Sequence, residues 1–308
     1  MKKKRKLSGA LWWGGALVIG LSIGIYALIT NETEEKQEQI FITHIHGMGY
    51  KSDGTELMLA AHDGIKVYTA GEWRSGEGDR HDYMGFNVVD DGFYSSGHPS
   101  LTSALANPLG IVRSTDDGKS LGILDLHGVE DFHGLAVGYE SHAVYAYNPK
   151  ANDRMESAGL YVSTDDARTW RFSRLEGIEG NLLAMTAHPS LEEQVAISTN
   201  KGIYVSSDYG DSFTRLDNRP GATALAYGID GELWIGSDGL YLLNQGEIVS
   251  VKTPPLASDE SILYIARNPQ NRNNIAITSE RNNIFRTGDG GENWELIADE
   301  GDSVGKLE

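Results

Sequence analysis

Ser206-Ser-Asp208-Tyr-Gly210-Asp-Ser212-Phe213 is one of four copies of a single pattern, Ser-x-Asp-x-Gly-x-Ser/Thr-aromatic. The others are Ser114-Thr-Asp116-Asp-Gly118-Lys-Ser120-Leu121, Ser163-Thr-Asp165-Asp-Ala167-Arg-Thr169-Trp170 and Thr287-Gly-Asp289-Gly-Gly291-Glu-Asn293-Trp294. Leu121 replaces the aromatic in the first, Ala167 the glycine in the second, and Thr287 and Asn293 the hydroxyl positions in the last. The central residues Asp116, Asp165, Asp208 and Asp289 are 49, 43 and 81 positions apart, and 81 is close to two periods of about 40. One copy has therefore decayed. A repeat of this length belongs to a propeller or a solenoid.

A second repeat completes the count. Six residues before each central aspartate stands a Gly/Asn followed by Ile or Leu: Gly110-Ile, Gly159-Leu, Gly202-Ile and Asn283-Ile. The same step recurs without a box at Gly64-Ile-Lys-Val-Tyr and Gly239-Leu-Tyr-Leu-Leu. That makes six units. Short apolar, β-branched and aromatic runs between Gly, Asn and Asp turns fit four strands per unit, and no stretch after residue 40 carries sustained helical periodicity. The expected fold is all-β, a six-bladed β-propeller over residues 39–299 with a tail at 300–308. Its third strands should begin near Ile65, Ile111, Leu160, Ile203, Leu240 and Ile284.

The N-terminus sets the expected compartment. Lys2, Lys3, Lys4, Arg5 and Lys6 precede 24 uncharged residues, Leu7 to Thr30, long enough to span a hydrocarbon core of about 30 Å as a helix. The positive-inside rule puts segment 1–6 in the cytoplasm, Trp12 and Trp13 at that interface and Tyr26 near the outer one. Residues 31–38 form an acidic tether. A cleaved signal peptide shares the basic start and apolar stretch, but a usual h-region is about 7–15 residues and no clear small-x-small site precedes the tether. Both readings put the propeller outside the cytoplasm. The net charge of −18 becomes −23 once the five N-terminal cations are set aside, a body that repels nucleic acid and attracts cations. With no cysteine there are no disulfides, thiolate metal sites or cysteine nucleophiles.

Aligning the innermost strands sorts the chemistry by face. They begin His44-Ile-His46-Gly-Met, Asp82-Tyr-Met84-Gly-Phe, Asp131-Phe-His133-Gly-Leu, Asn181-Leu-Leu-Ala-Met, Gly221-Ala-Thr-Ala-Leu and Ser261-Ile-Leu-Tyr-Ile. Metal-ligand types cluster in the first three. The second strand of each blade runs back to the rim where the first began, so His62 and His98 return to the same mouth. A set of His44, His46, His62, His98, His133, Asp82 and Asp131 is therefore expected there, with His44 and His46 on one face of their strand. Imidazole and carboxylate together suit Zn, Cu, Fe, Ni or Mn, with copper or zinc the leading candidates and Met84 favouring copper if it ligates. The plainer alternative is a polar lining for a narrow channel. Asp82 and Asp131 also offer a weak catalytic pair, subject to the separation of about 5–9.5 Å that glycosidases need. His188 in Ala187-His188-Pro189 is expected on the opposite face as a structural turn. His127 and His142 are expected in solvated turns. The insertions 100–109 and 150–158 fall beside the histidine-bearing blades, where loops on a rigid scaffold often carry binding.

The boxes resemble the Asp-box repeat of bacterial-neuraminidase type, found in sialidases and other glycoside hydrolases, sortilin-type receptor domains and photosystem II assembly factors. With its basic N-terminal segment and His44-x-His46-Gly, the chain looks most like membrane-anchored bacterial Asp-box proteins labelled glycosylhydrolase-like. A sialidase would imply an arginine early in blade one, and none precedes Arg74. The resemblance thus implies an extracytoplasmic, membrane-anchored module that binds a cell-envelope ligand, protein or metal. Glycoside hydrolase is the alternative and an interaction scaffold the third reading.

Overall fold

The computed structural model describes residues 39–217, 221–244 and 246–304. The expected anchor at 7–30 lies outside them. Among the described residues there is no helix, so none long and apolar enough to cross a membrane.

Six antiparallel sheets follow one another along the chain, five of four strands and the last of five. The third strands are Gly64–Thr69, Ile111–Ser114, Gly159–Ser163, Gly202–Ser206, Leu240–Asn244 and Ile284–Thr287, each within one residue of its expected start. Second strands such as Leu57–Ala61, Val195–Thr199 and Ile275–Ser279 are buried at every position, because a blade's middle is covered on both faces by its neighbours. This explains their near-continuous apolar sequence. The innermost strands touch in cyclic order, and Ile262–Arg267 of blade six meets Gly47–Tyr50 of blade one, closing the ring.

The two ends of the propeller lock that closure. Blade six carries a fifth strand, Asp302–Ser303, beyond the expected limit of residue 299. Ile42 N donates to Gly301 O at 2.7 Å and Ser303 N to Ile40 O at 3.0 Å, tying the segment before blade one to the end of blade six. Trp73 Nε1 adds a bond to Ile297 O at 2.7 Å.

Every box folds alike. In the third, Ser206 Oγ donates to Asp208 Oδ1 at 2.7 Å and accepts from Gly210 N at 2.9 Å. Ser212 N and Oγ donate to the two carboxylate oxygens at 2.9 and 2.6 Å. Asn293 Nδ2 takes the hydroxyl's place on Asp289 at 2.8 Å, which explains why the fourth copy tolerates its departure. Local donors hold Asp165, Asp208 and Asp289 down at about 2, the backbone of Thr169 and Asn293 leading in two and the Ser206 hydroxyl in the third.

Two glycines bring the histidine-bearing strands together. A Cβ on Gly47 would lie 2.4 Å from Phe86 O, and one on Gly85 (φ +53°) would lie 2.7 Å from both Phe132 O and Leu135 Cβ. Gly85 also sits in a bulge between the pairs Met84–Ser96 and Asn87–Tyr94. The bulge frees Phe86 N to reach His46 O at 3.3 Å across the blade boundary.

Candidate metal centre

The structure brings six of the seven expected ligands to one rim but divides them into two groups, each spanning a blade boundary. In the first, His62 Nδ1 lies 2.9 Å from Asp82 Oδ2 and His46 Nε2 lies 3.6 Å from Asp82 Oδ1. One donor atom from each of the three falls within 4.8 Å of the others. His46 comes from the lead-in to the first strand of blade one, His62 from the end of its second strand, and Asp82 opens blade two. In the second group, Asp131 Oδ2 lies 2.9 Å from His133 Nε2 and 3.3 Å from His98 Nε2. Asp82 and His98 are cross-strand partners in blade two. That blade therefore hands its aspartate to blade one and its histidine to blade three.

His44 belongs to neither group. Its φ of 48° is left-handed, so the strand alternation that was to align it with His46 does not exist there. Its ring instead stands 5.9 Å from that of His62. Met84 is buried.

His46 Nε2 and Asp82 Oδ1 are both buried and have no hydrogen-bond partner. At 3.6 Å they are too far apart to bond each other. Two ligands held at about 2.0–2.1 Å on one ion stand roughly 3–3.5 Å apart, so the gap is close to that which a cation bridges. Burial holds His46 below the ordinary imidazole value. Asp82 pulls the other way, and His133, His44 and His62 reinforce the lowering. A neutral imidazole is the ligating form.

The insertion 100–109 is clasped by histidines rather than loose. Ser100 N donates to His81 Nδ1 at 2.9 Å. His127 Nδ1 donates to Leu109 O at 3.0 Å while its Nε2 accepts from Ala106 N at 3.1 Å, one neutral tautomer serving both. His127 is thus a brace, not the solvated side chain expected. Asn107 Oδ1 in turn takes His98 Nδ1 at 2.7 Å, which holds the ring with its Nε2 3.3 Å from Asp131 Oδ2. Insertion 150–158 is fastened by Asn148, whose Nδ2 donates to Lys150 O at 2.6 Å and Ser157 O at 2.8 Å. No sequence signal marks His81 or Asn107, because their partners lie across an insertion.

The remaining histidines sit elsewhere. His188 Nδ1 accepts from Ser190 and Leu191 N, the turn role expected of it, and Asn268 Oδ1 does the same for Gln270 and Asn271. His142, expected in a solvated turn, is half-buried and bonds Asp90 Oδ1 at 2.7 Å. Asp91 beside it is neutralised by Arg113.

His46 and His133 open onto a central channel of about 370 Å³ whose wall is formed by the innermost strands of all six blades. Fold and rim define a class: a six-bladed propeller with a His/Asp-lined channel mouth. No protein-family model matches the chain, and no curated protein matches it in sequence. Among solved structures it is similar to the GH74 xyloglucanase of Xanthomonas campestris (17% identity, TM-score 0.53, 85% of this chain and 46% of that one). It is likewise similar to the GH74 enzyme of Niastella koreensis (16%, 0.54, 85% and 46%) and to a gluconolactonase from X. campestris (13%, 0.56, 78% and 84%). The chain spans about half the length of the GH74 enzymes. At such identities the likeness is one of fold, the β-propeller.

Proposed function

We infer that this chain is a cation-binding propeller, with His46, His62 and Asp82 holding a divalent transition metal at the channel mouth. The observation that carries this is the buried, unpartnered pair His46 Nε2 and Asp82 Oδ1, 3.6 Å apart beside His62. Leaving two such atoms unsatisfied costs about 1–3 kcal/mol each, and a bound cation satisfies both. Two imidazoles and one carboxylate favour zinc or copper and leave coordination positions for an outside ligand. A metal held by His46, His62 and Asp82 would supply Lewis acidity to that ligand. On this reading the anchor at 7–30 carries the propeller on the outer side of a membrane, and the acidic body raises the local cation concentration and meets an envelope ligand or protein.

Asp82 and Asp131, the weak glycosidase pair, are each committed to their own histidines, and this favours ligation over a free acid/base pair. The test is metal analysis of the full chain, purified in detergent, stripped with EDTA, exposed to equal Zn²⁺ and Cu²⁺ and dialysed. About one equivalent should remain, and His46→Ala should lose it with its melting temperature retained. Absence of metal from the parent chain, or full occupancy in the variant, overturns the reading. Release of reducing sugar from a polysaccharide by metal-free protein would favour the hydrolase instead.

A further inference from the structure

The boundary between blades six and one differs from its counterpart between blades two and three. Arg286 in Ile284–Thr287 and Arg113 in Ile111–Ser114 hold the same position in their third strands, each just before an Asp box. Arg113 Nη2 pairs with Asp91 of its own blade, and its Nη1 lies 3.4 Å from Asp166 Oδ1 of blade three. Its guanidinium stands 5.1 Å from the centroid of the Tyr94 ring. Arg286 repeats two of these three contacts. Its Nε donates to Glu295 Oε2 of its own blade at 2.7 Å, and its guanidinium stands 5.3 Å from the ring centroid of Tyr68 in blade one. The carboxylate from the next blade is missing. Among the described residues neither Nη1 nor Nη2 of Arg286 has a hydrogen-bond partner, and its side chain is 43% exposed against 20% for Arg113.

The turn of blade one explains the gap. Asp166 belongs to the Asp box of blade three, where residues 164–170 join the strands Gly159–Ser163 and Arg171–Ser173. Blade one has no box, and only Ala70 and Gly71 join Gly64–Thr69 to Glu72–Ser75. Beside this short turn lies a pocket of about 500 Å³, in the range of small-ligand sites, lined by Arg286, Glu295, Asp289, Tyr68, Trp294 and Ala70. Asp289 has both oxygens taken by Thr287 and Asn293 of its own box, so it does not compete for the arginine.

We propose that this pocket binds an organic carboxylate, which takes on Arg286 the place that Asp166 takes on Arg113. The guanidinium is already positioned by Tyr68 and Glu295, and its free Nη groups supply charge-assisted bonds. Trp294, partly buried, gives the carbon body of the ligand an aromatic wall. The carboxylate belongs to a free small acid or to an acidic side chain of a partner protein, which present the same group. The pocket shares no residue with the two histidine groups, so the proposal does not depend on the metal centre.

The test is an NMR titration of the full chain in detergent and EDTA at physiological salt, following the signals of the added compound. Phenylacetate and the α-amide of N-acetylaspartate are each compared with their neutral carboxamides. At least one acid should bind saturably and about tenfold or more tightly than its carboxamide. Tighter binding of phenylacetate marks a free acid, and tighter binding of the aspartate derivative marks a protein side chain. Arg286→Gln should weaken binding about tenfold or more. Glu295→Gln, which removes the carboxylate already on the arginine, should tighten it. Ala70→Asp puts a carboxylate on the turn lining the pocket, at a φ of 52° that aspartate tolerates, and should weaken binding without lowering the melting temperature. Failure of both acids to bind, equal binding of the carboxamides, or undiminished binding in Arg286→Gln or Ala70→Asp overturns the proposal.

Discussion

Asp208 and Asp82 are both aspartates at blade edges, and they are used in opposite ways. Asp208 accepts bonds from Ser206 and Ser212, no more than four positions away, and both its oxygens are served by these local donors. Asp82 meets His62 and His46, 20 and 36 positions away, with one oxygen paired and the other buried and unpartnered. A carboxylate satisfied by its own turn closes a structure. One left with an open lone pair opposite an imidazole has room for a further partner, the cation of the proposed function. The contrast extends to the two halves of the ring, since blades four to six offer Asn181, Gly221 and Ser261 where blades one to three offer histidine and aspartate.

The sharpest way to break this comparison is to neutralise each aspartate in turn. Asp82→Asn should abolish stoichiometric metal binding in the dialysis experiment and leave thermal unfolding nearly unchanged. Asp208→Ala should leave metal binding intact and destabilise the fold by about 1–3 kcal/mol, read from the denaturant midpoint. Exchange of these outcomes would refute the division of roles.

Acid should reveal the boxes next. Asp165, Asp208 and Asp289 have folded values of about 2 against an ordinary 3.8, so on lowering the pH the unfolded chain takes up protons first. Their contribution is complete above about pH 4 and lost as the pH falls to about 2. Stability measured by urea denaturation should drop across that window, with a shallower drop for Asp208→Asn. A flat profile would mean the box carboxylates contribute nothing.

A smaller effect is expected at the clasped loop. His127→Ala removes the bonds to Ala106 N and Leu109 O and should cost about 1–2 kcal/mol. The Ala106 amide should then exchange faster with solvent while the Asp-box amides stay protected. Unchanged exchange at Ala106 would show the loop held by other contacts.

Ala167→Gly should change least. Ala167 holds φ +60°, a strain of about 1 kcal/mol in a residue with a Cβ, but its methyl is fully buried with Leu126, Met155 and Tyr161. Losing that methyl costs about 0.8 kcal/mol, so the two effects nearly cancel and the midpoint should move by less than about 0.5 kcal/mol.

Much of this was legible along the chain and some was not. The box geometry could be read because every bond in it spans at most four residues. The return of His62 and His98 to the mouth followed from antiparallel order alone. The division into two groups could not be read, because it depends on which neighbouring blade each side chain leans towards. His44 was misplaced because one left-handed residue breaks the alternation that an extended strand would impose.

The sequence by itself determined the number of blades, the position of each third strand and the rim on which the histidines gather, because these rest on local turns and on the two-residue period of strands. The tertiary structure alone decided how the ring closes through residues 40–42 and 301–303, which histidines share a carboxylate, and where donors are left without partners. Those are outcomes of contacts between residues tens to hundreds of positions apart. Their distances are set by how blades pack around a channel, and no local pattern encodes them.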